Sequence, residues 1–498
     1  MSDVEDDMIS NTVFAPPAED LPTALLIGGD RVTGSSGGTY DHIYPATGES
    51  NATIELAGDR EVDRAVIAAK EAQREWISMP PERRRDLMFD LADAVKADVD
   101  RLSRFNVHDF AVPVRTSPGH VMLAEGFIRY YAGWVDKASG SSTPVSSKFD
   151  VNLIEREPFG VVGIIAPWNG PMVVVGLNVA PALAAGNAVI LKPSELSPFT
   201  PLRFGEICVE VGLPPGLVNV LPSGPEGGAA LVRHPGIGKI HFTGGGDTAR
   251  KIITAAAPNL TPVATELGGK SANLVFEDAD LDQAAILAAW QGPLGQSGQS
   301  CACGSRIMVQ DKVYDAFLER FLKVIDSAPI GDPFDPSVML GPVVSQASTE
   351  RILAIIDRAV DENMGELITG GRRLGGELSS GFYIEPTVFG DVDNRSPLAT
   401  VETFGPVVSV MRFADEAEAV AMANDTTFGL NAFVQTANLT RAHRVARQLE
   451  SGSVWVNRNS DISPQGPYGG YKQSGTGRAG GLEGLHEFQQ VKNIRIGM

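Results

Sequence analysis

Short apolar runs, each long enough for one strand and no longer, recur along this chain with helical stretches between them. Residues 161–166, 188–191, 217–221 and 239–243 form a first series, and each run gives way within two residues to Gly or Pro. Parallel strands cannot be joined by a tight turn and need a crossover, usually a helix. The alternation therefore predicts an α/β protein with parallel sheets. A ligand of such a sheet sits beyond the carboxyl ends of its strands. A second series follows residue 265, with strands at 271–276, 306–310, 404–413, 430–435 and 453–457 and helices at 313–326, 346–362, 415–424 and 438–450. Two α/β units of similar size are expected. Upstream, 60–77 and 83–105 each carry an apolar helical face, the first through Val62, Val66, Ala69, Ala72 and Trp76, the second through Leu87, Leu91, Val95, Val99 and Leu102. A Ser-, Gly- and Pro-rich loop is expected at 139–147 and a last strand at Val491–Ile496.

Residues 161–191 carry no charge and are long enough to span a bilayer. Pro167, Asn169, Gly170, Pro171, Asn178, Pro181, Gly186 and Asn187 interrupt the stretch, so it reads as a buried strand, loop, helix and strand. Lys and Arg number 41 against 61 Asp and Glu, a net charge of −20. That balance argues against nucleic acid and against anionic membranes as partners. The three cysteines, Cys208, Cys301 and Cys303, suggest no disulfide framework, which points to a reducing compartment and a cytoplasmic location. Asp3, Glu5, Asp6 and Asp7 open the chain, and no Lys or Arg precedes Arg31. This is the wrong sign for a targeting peptide, and 1–20 is expected to be a flexible acidic tail.

Four short segments carry chemistry. In Gly298-Gln299-Ser300-Cys301-Ala302-Cys303-Gly304, a cysteine stands among small residues ahead of a strand, as an exposed nucleophile would. A buried core cysteine fits equally well when the segment is taken alone. No further Cys or His motif completes a metal site, and His241 and His443 sit in no hydrolase motif, so no metal is expected. In Thr265-Glu266-Leu267-Gly268-Gly269-Lys270, a carboxylate precedes two glycines where the two halves meet, the place for a mobile general base. Ala166-Pro167-Trp168-Asn169 puts an uncharged amide at a strand's carboxyl end, where it can donate to a developing oxyanion. Leu191-Lys192-Pro193-Ser194-Glu195 closes the next strand with groups able to grip ribose hydroxyls.

Together, in this order and spacing, these segments resemble the aldehyde dehydrogenase superfamily, in its hydrolytic NAD(P)-dependent branch. Phe242-Thr243-Gly244, Glu402-Thr403-Phe404-Gly405-Pro406-Val407, Trp455-Val456-Asn457 and Tyr468-Gly469-Gly470-Tyr471-Lys472-Gln473-Ser474-Gly475 extend the match over nearly the whole chain. The resemblance implies a Rossmann-like NAD-binding domain (21–136 and 160–264), an α/β catalytic domain (265–465), and a small β oligomerisation or bridging element (137–159 and 466–498) that makes a homo-oligomer, dimer or tetramer. It implies oxidation of a small-molecule aldehyde to a carboxylic acid. Cys301 is then the nucleophile that forms a thiohemiacetal and a thioester, Asn169 the oxyanion donor, and Glu266 the base that activates the hydrolytic water. Cofactor positions carried over are Ile165, Ala166, Pro167, Trp168, Lys192, Ser194, Glu195, Gly224, Gly228, Thr243, Gly244, Gly245, Thr248, Leu267, Gly268, Glu402 and Phe404. Substrate positions are Gly170, Val174, Leu177, Ser300, Ala302 and Ile462. NAD is expected in preference to NADP, because Glu195 would repel a 2′-phosphate.

The chain departs from the family pattern at several positions. Gly245 stands where Ser is usual and Ala249 where Gly is usual, so a hydroxyl that would touch the pyrophosphate is missing and backbone N–H groups are left to hold it. Val401, Phe428 and Ala479 replace a frequent Glu, Tyr and Glu. Cys303 has no family role and reads as packing. Three rival functions use the same residues. A CoA-acylating dehydrogenase would not need Glu266. A binding protein that keeps only the fold would not need Cys301, Glu266 and Asn169 together. An esterase using Cys301 alone would work without cofactor.

Overall fold

The computed structural model describes residues 14–137, 140–144 and 150–497. Most of the expected acidic tail, up to residue 13, and part of the 139–147 loop lie outside the described residues. The first strand series forms one sheet. Its parallel strands stand in the order Val263–Glu266, Lys239–Thr243, Val161–Ile165, Ala188–Lys192 and Val218–Val220, with the hairpin Leu25–Ile27 and Asp30–Val32 antiparallel at one edge. The central strands, VVGII and AVILK, are buried along their whole length, as expected of a parallel sheet covered on both faces. The uncharged stretch resolves as Val161–Ile165, a helix over 171–184 with a π-helical turn at Val175–Val179, and Ala188–Lys192. No helix among the described residues is long and apolar enough to cross a membrane.

The second series forms a seven-stranded sheet in the order Glu366–Thr369, Thr387–Gly390, Val407–Phe413, Arg306–Gln310, Ala272–Val275, Asn431–Gln435 and Ser453–Val456, parallel except for the first. Its alternate residues serve different cores. Leu274 and Met308 pack into a cluster with Phe276, Phe389 and Phe413, whereas Val275, Ile307 and Val309 pack against Phe317 and Phe321. Each such side chain, fully buried, contributes about 1.5–3 kcal/mol. A separate small sheet pairs Gln489–Gly497 with Asp150–Pro158 along its length, and Ser141–Ser142 adds to the far edge. The preceding part of the C-terminal stretch goes elsewhere: Gly475–Thr476 lies antiparallel to Val263–Glu266 and extends the first sheet.

Two expected boundaries are corrected. The single helix expected over 83–105 is two, Pro81–Ala97 and Val99–Phe110. They break at Asp98, whose backbone leaves the helical region (φ −96°, ψ 13°) while its carboxylate accepts from Arg203 Nε at 2.8 Å. The apolar period runs through the break, which is why the sequence pattern hides it. The strand expected from 404 begins only at Val407, because Phe404 is left-handed (φ 50°) and Pro406 has no N–H to give a ladder.

Candidate active site

From Val161–Ile165 the chain moves outward one way to Ala188–Lys192 and Val218–Val220, and then returns to the other side for Lys239–Thr243 and Val263–Glu266. The crevice between the carboxyl ends of Val161–Ile165 and Lys239–Thr243 is thus the switch point, where ligands of such sheets bind. Ile165, Ala166, Pro167 and Trp168 leave one side of it, and Thr243, Gly244 and Gly245 the other. Beside it, Lys192 ends the next strand, followed by Ser194 and Glu195. Gly224 and Gly245 stand as N-caps of the helices Pro225–Arg233 and Gly246–Ala256, with no side-chain cap on either. The first-turn N–H groups of these helices, with Thr248 in the second, are therefore available to an anion. A side chain at Gly245 would meet nothing within 4 Å, so the missing hydroxyl leaves open space rather than a filled one. Lys192 is buried, its ammonium pushed down by desolvation and pulled back by Glu195, and its Cε lies 3.8 Å from where Gly228 would carry a Cβ. Two bare helix starts, a buried ammonium and a neighbouring carboxylate fit a dinucleotide.

Glu402 arrives from the second half. Its Oε1 accepts from Gly269 N at 3.0 Å, and a Cβ on Gly268 would overlap its other oxygen, so only glycine permits this approach. Burial pushes the Glu402 carboxyl up, against the pull of Lys270 and Arg351. Phe404, left-handed, sets its ring edge-on to Trp168 at 5.6 Å. Leu267 donates its N–H to Ser474 O at 2.9 Å, which ties the Glu266 segment to the C-terminal stretch.

The nucleophile segment is held by its own strained approach. Gln296, Ser297 and Gly298 are consecutive left-handed residues, and a Cβ at Gly298 would strike Gly405 O. Ser297 Oγ donates to Gly341 O at 2.7 Å, and Gln299 Oε1 accepts from Val344 N at 2.8 Å. Asn169 Nδ2 donates to Gln299 O at 2.9 Å, which brings the end of Val161–Ile165 against the Cys301 loop and leaves the second amide proton without a partner among the described residues. Cys301 is half-buried, flanked by Ser300 and Ala302, and burial pushes its thiol up to about 11. Glu266 ends its strand 6% exposed, and neither oxygen finds a hydrogen-bond partner among the described residues. Desolvation pushes it well above the usual carboxylate range, Arg478 opposing and Glu487 adding. It is near enough to raise the Cys301 thiol by its charge.

Of the expected substrate positions, Gly170 caps the helix that follows Asn169, and Val174 and Leu177 lie buried on that helix. Ile462 packs against the same apolar cluster. Three residues near the site escaped the sequence reading. Tyr468 lies inside a quoted motif, yet its hydroxyl comes within 3.9 Å of Cys301 Sγ. Lys270 is buried beneath Glu402, with Nζ 3.3 Å from Thr403 Oγ1, and burial lowers it to about 8. Arg306, also buried, fastens the base of the loop by donating to the carbonyls of Lys270, Met422 and Ala423 and to Asn394 Oδ1. The available signal was chemical type alone: a Tyr beside Gly-Gly, and cations at strand starts.

Comparison with known proteins agrees with this architecture. The model of the aldehyde dehydrogenase family matches residues 32–494. A Burkholderia cenocepacia protein assigned to the aldehyde dehydrogenases is 40% identical, with a TM-score of 0.93 over 96% of this chain and 97% of that one. PnpE of Pseudomonas sp. WBC-3, also solved in complex with nicotinamide adenine dinucleotide, is 38% identical, with a TM-score of 0.93 over 96% of this chain and 98% of that one. Betaine aldehyde dehydrogenase of Staphylococcus aureus in complex with NAD+ is 34% identical, with a TM-score of 0.93 over 96% and 95%. With its family model matched nearly end to end and its fold shared throughout, the chain belongs to the aldehyde dehydrogenase family.

Proposed function

We propose that this chain oxidises an aldehyde to a carboxylic acid with NAD, using Cys301 as nucleophile, Asn169 as oxyanion donor and Glu266 as the base for hydrolysis. The observation that carries this reading is the convergence of distant segments on the Cys301 loop: Asn169 bonded to Gln299 O, and a buried Glu266, without a hydrogen-bond partner among the described residues, close enough to act on the thiol by its charge. The Cys301 thiolate forms the S–C bond while the carbonyl π pair moves to oxygen. That oxyanion takes hydrogen bonds from the second Asn169 amide proton and the Cys301 N–H. NAD, when bound there, would supply the hydride acceptor needed for the thiohemiacetal to become a thioester. Glu266 carboxylate then takes a proton from water, the water oxygen adds to the acyl carbon, and the C–S pair returns to sulfur. Lys192 and Glu195 would hold the adenosine ribose, Gly245 and Thr248 the pyrophosphate, and Glu402 the nicotinamide ribose. The proposed domain segments serve this division of labour, except that the part of 466–498 before the last strand goes with the cofactor domain, through Gly475–Thr476, Ala479, Leu485 and Phe488, and with the site, through Tyr468.

A panel of aliphatic, aromatic, terpenoid and semialdehyde substrates followed by NADH formation tests the reading, and silence across the panel would defeat it. Among these, bulky or long neutral aldehydes are expected to lead, because Gly170, Val174, Leu177, Ser300, Ala302 and Ile462 include no cation. Arg458, expected near the mouth, keeps a carboxylate-bearing aldehyde in play, but its guanidinium is paired with Asp461. Succinate semialdehyde ahead of medium-chain or aromatic aldehydes by tenfold in kcat/KM would overturn this.

NAD should exceed NADP in kcat/KM by at least about tenfold, a modest fraction of what charge repulsion near a protein surface supplies. Glu195→Gln should narrow the gap, and a wild-type preference for NADP would contradict the assignment of Glu195.

We infer a homo-oligomer, dimer or tetramer. Gln489–Gly497 has one side paired with Asp150–Pro158 and no strand on the other among the described residues, while Val491 and Ile496 are 61% and 48% exposed. An open edge of that length, with Val491 and Ile496 exposed on it, invites a second strand. Light scattering should therefore give at least twice 52.8 kDa at micromolar concentration, and a monomer mass would refute it. Three free cysteines support a cytoplasmic setting.

A further inference from the structure

We propose that Tyr468 is a catalytic residue of this site, whose hydroxyl, oriented by Asn431, donates to Cys301 Sγ and stabilises it as the thiolate. The proposal deepens the reading of Cys301 as nucleophile and rests on it. Tyr468 is buried, and its backbone is fixed by reciprocal bonds with Ala479, N to O at 2.6 Å and O to N at 2.8 Å. Its hydroxyl stands 3.9 Å from Cys301 Sγ and 3.4 Å from Asn431 Nδ2, at the first residue of the strand Asn431–Gln435. A tyrosine hydroxyl has a single hydrogen to give. With the Asn431 amide donating to its oxygen, that hydrogen is directed at the sulfur.

The sulfur needs such a donor. Reactive cysteines usually sit beside His, Lys or Arg. Here the charged neighbours that act on Cys301 are Glu402 and Glu266, and both oppose its ionisation along with burial. The influences that favour the thiolate are the Tyr468 hydroxyl and the backbone of Cys301 itself. Burial also holds the phenol well above its ordinary value, so Tyr468 keeps its proton and remains a donor throughout the working range. Tyr468 gives up no proton in any step. It stabilises the sulfur charge before attack, when the thiolate pair forms the S–C bond. It does so again during hydrolysis, when the C–S pair returns to Sγ. Separations of this kind commonly shorten once the reacting group is charged.

The test is the pH dependence of Cys301 alkylation by iodoacetamide in the full chain, with the labelled peptide identified by mass spectrometry. This readout needs neither aldehyde nor turnover, so it can fail while aldehyde oxidation stands, and the reverse. Tyr468→Phe should move the alkylation midpoint alkaline by about 1–2 pH units, as expected for a lost hydrogen bond to a charged group. It should lower kcat by about 10–100-fold, the same change in thiolate fraction, with KM for NAD unchanged. Asn431→Ala should shift the midpoint the same way by less, and adding it to Tyr468→Phe should change nothing further. A midpoint unmoved or shifted to acid in Tyr468→Phe would overturn the proposal, and would mean that the hydroxyl donates to Asn431 Oδ1 instead. If Tyr468→Phe fails to fold by thermal unfolding, the Asn431→Ala midpoint decides by the same criterion.

Discussion

Cys301→Ala is expected to form no NADH with any aldehyde that the wild-type enzyme oxidises, while its thermal unfolding and its NAD binding stay close to wild type. The side chain is half-buried in a turn, so losing its sulfur costs little packing. No neighbour can take over. Cys303, two residues on, is buried, directs its thiol to Gly292 O at 3.7 Å, and is pushed up to about 12 by desolvation. The expected loss is on the order of 10⁶ in kcat, the scale seen when a nucleophile acting as one unit with its partners is removed. Activity within about a hundredfold of wild type, measured on protein free of wild-type contamination, would place the nucleophile elsewhere.

Glu266→Gln should split the reaction in two. Mixing this variant with NAD and aldehyde should release about one NADH per active site as a burst and then nearly stop, the kinetic mark of an accumulated covalent intermediate. Mass spectrometry should find the acyl group on Cys301. The pH dependence carries the sign of the Glu266 environment. Its folded-state value is raised, so the proton is retained below that value and the carboxylate needed for water activation appears only as pH climbs through it. Wild-type steady turnover should therefore rise with pH above the ordinary carboxylate range. In Glu266→Gln the slow phase should lose that rise. If Glu266 also takes the Cys301 proton, the burst itself will be slower in the variant and will recover at higher pH. A Glu266→Gln enzyme turning over at the wild-type steady rate would remove the carboxylate from the mechanism.

Local pattern and distant contact were legible to different degrees. The strands at 161–165, 188–192, 218–220 and 239–243 follow from runs of apolar residues between breakers, because burial of both sheet faces imposes that texture directly. The placement of Asn169, Lys192 and Thr243 at strand ends follows from the same runs. The break at Asp98 did not, since Arg203, 105 positions away, holds the carboxylate there. The approach of Tyr468 to Cys301 spans 167 positions, and no periodicity reports which residues so far apart will meet. Glu266 shows both limits. Its motif and its carboxylate are visible in the sequence, but its burial depends on Gly469 and Gly475, which pass so close that a Cβ on the first would press on the Glu266 carboxylate and one on the second would strike the Thr265 carbonyl.

The strand that covers Glu266 has a bearing on how the protein is made. Thr265 and its partner Thr476 lie 211 positions apart, so at about 5–20 residues per second a ribosome completes the cover roughly 10–40 s after the strand that needs it. Through that interval Val263–Glu266 is the uncapped margin of a nearly finished parallel sheet, with its ladder groups open to any passing strand. Other nascent chains on the same message would offer identical margins at close range. Yield in a cell should then depend on the pace of translation between these two points, and a slowed stretch of codons there would be more harmful than one placed anywhere after residue 476.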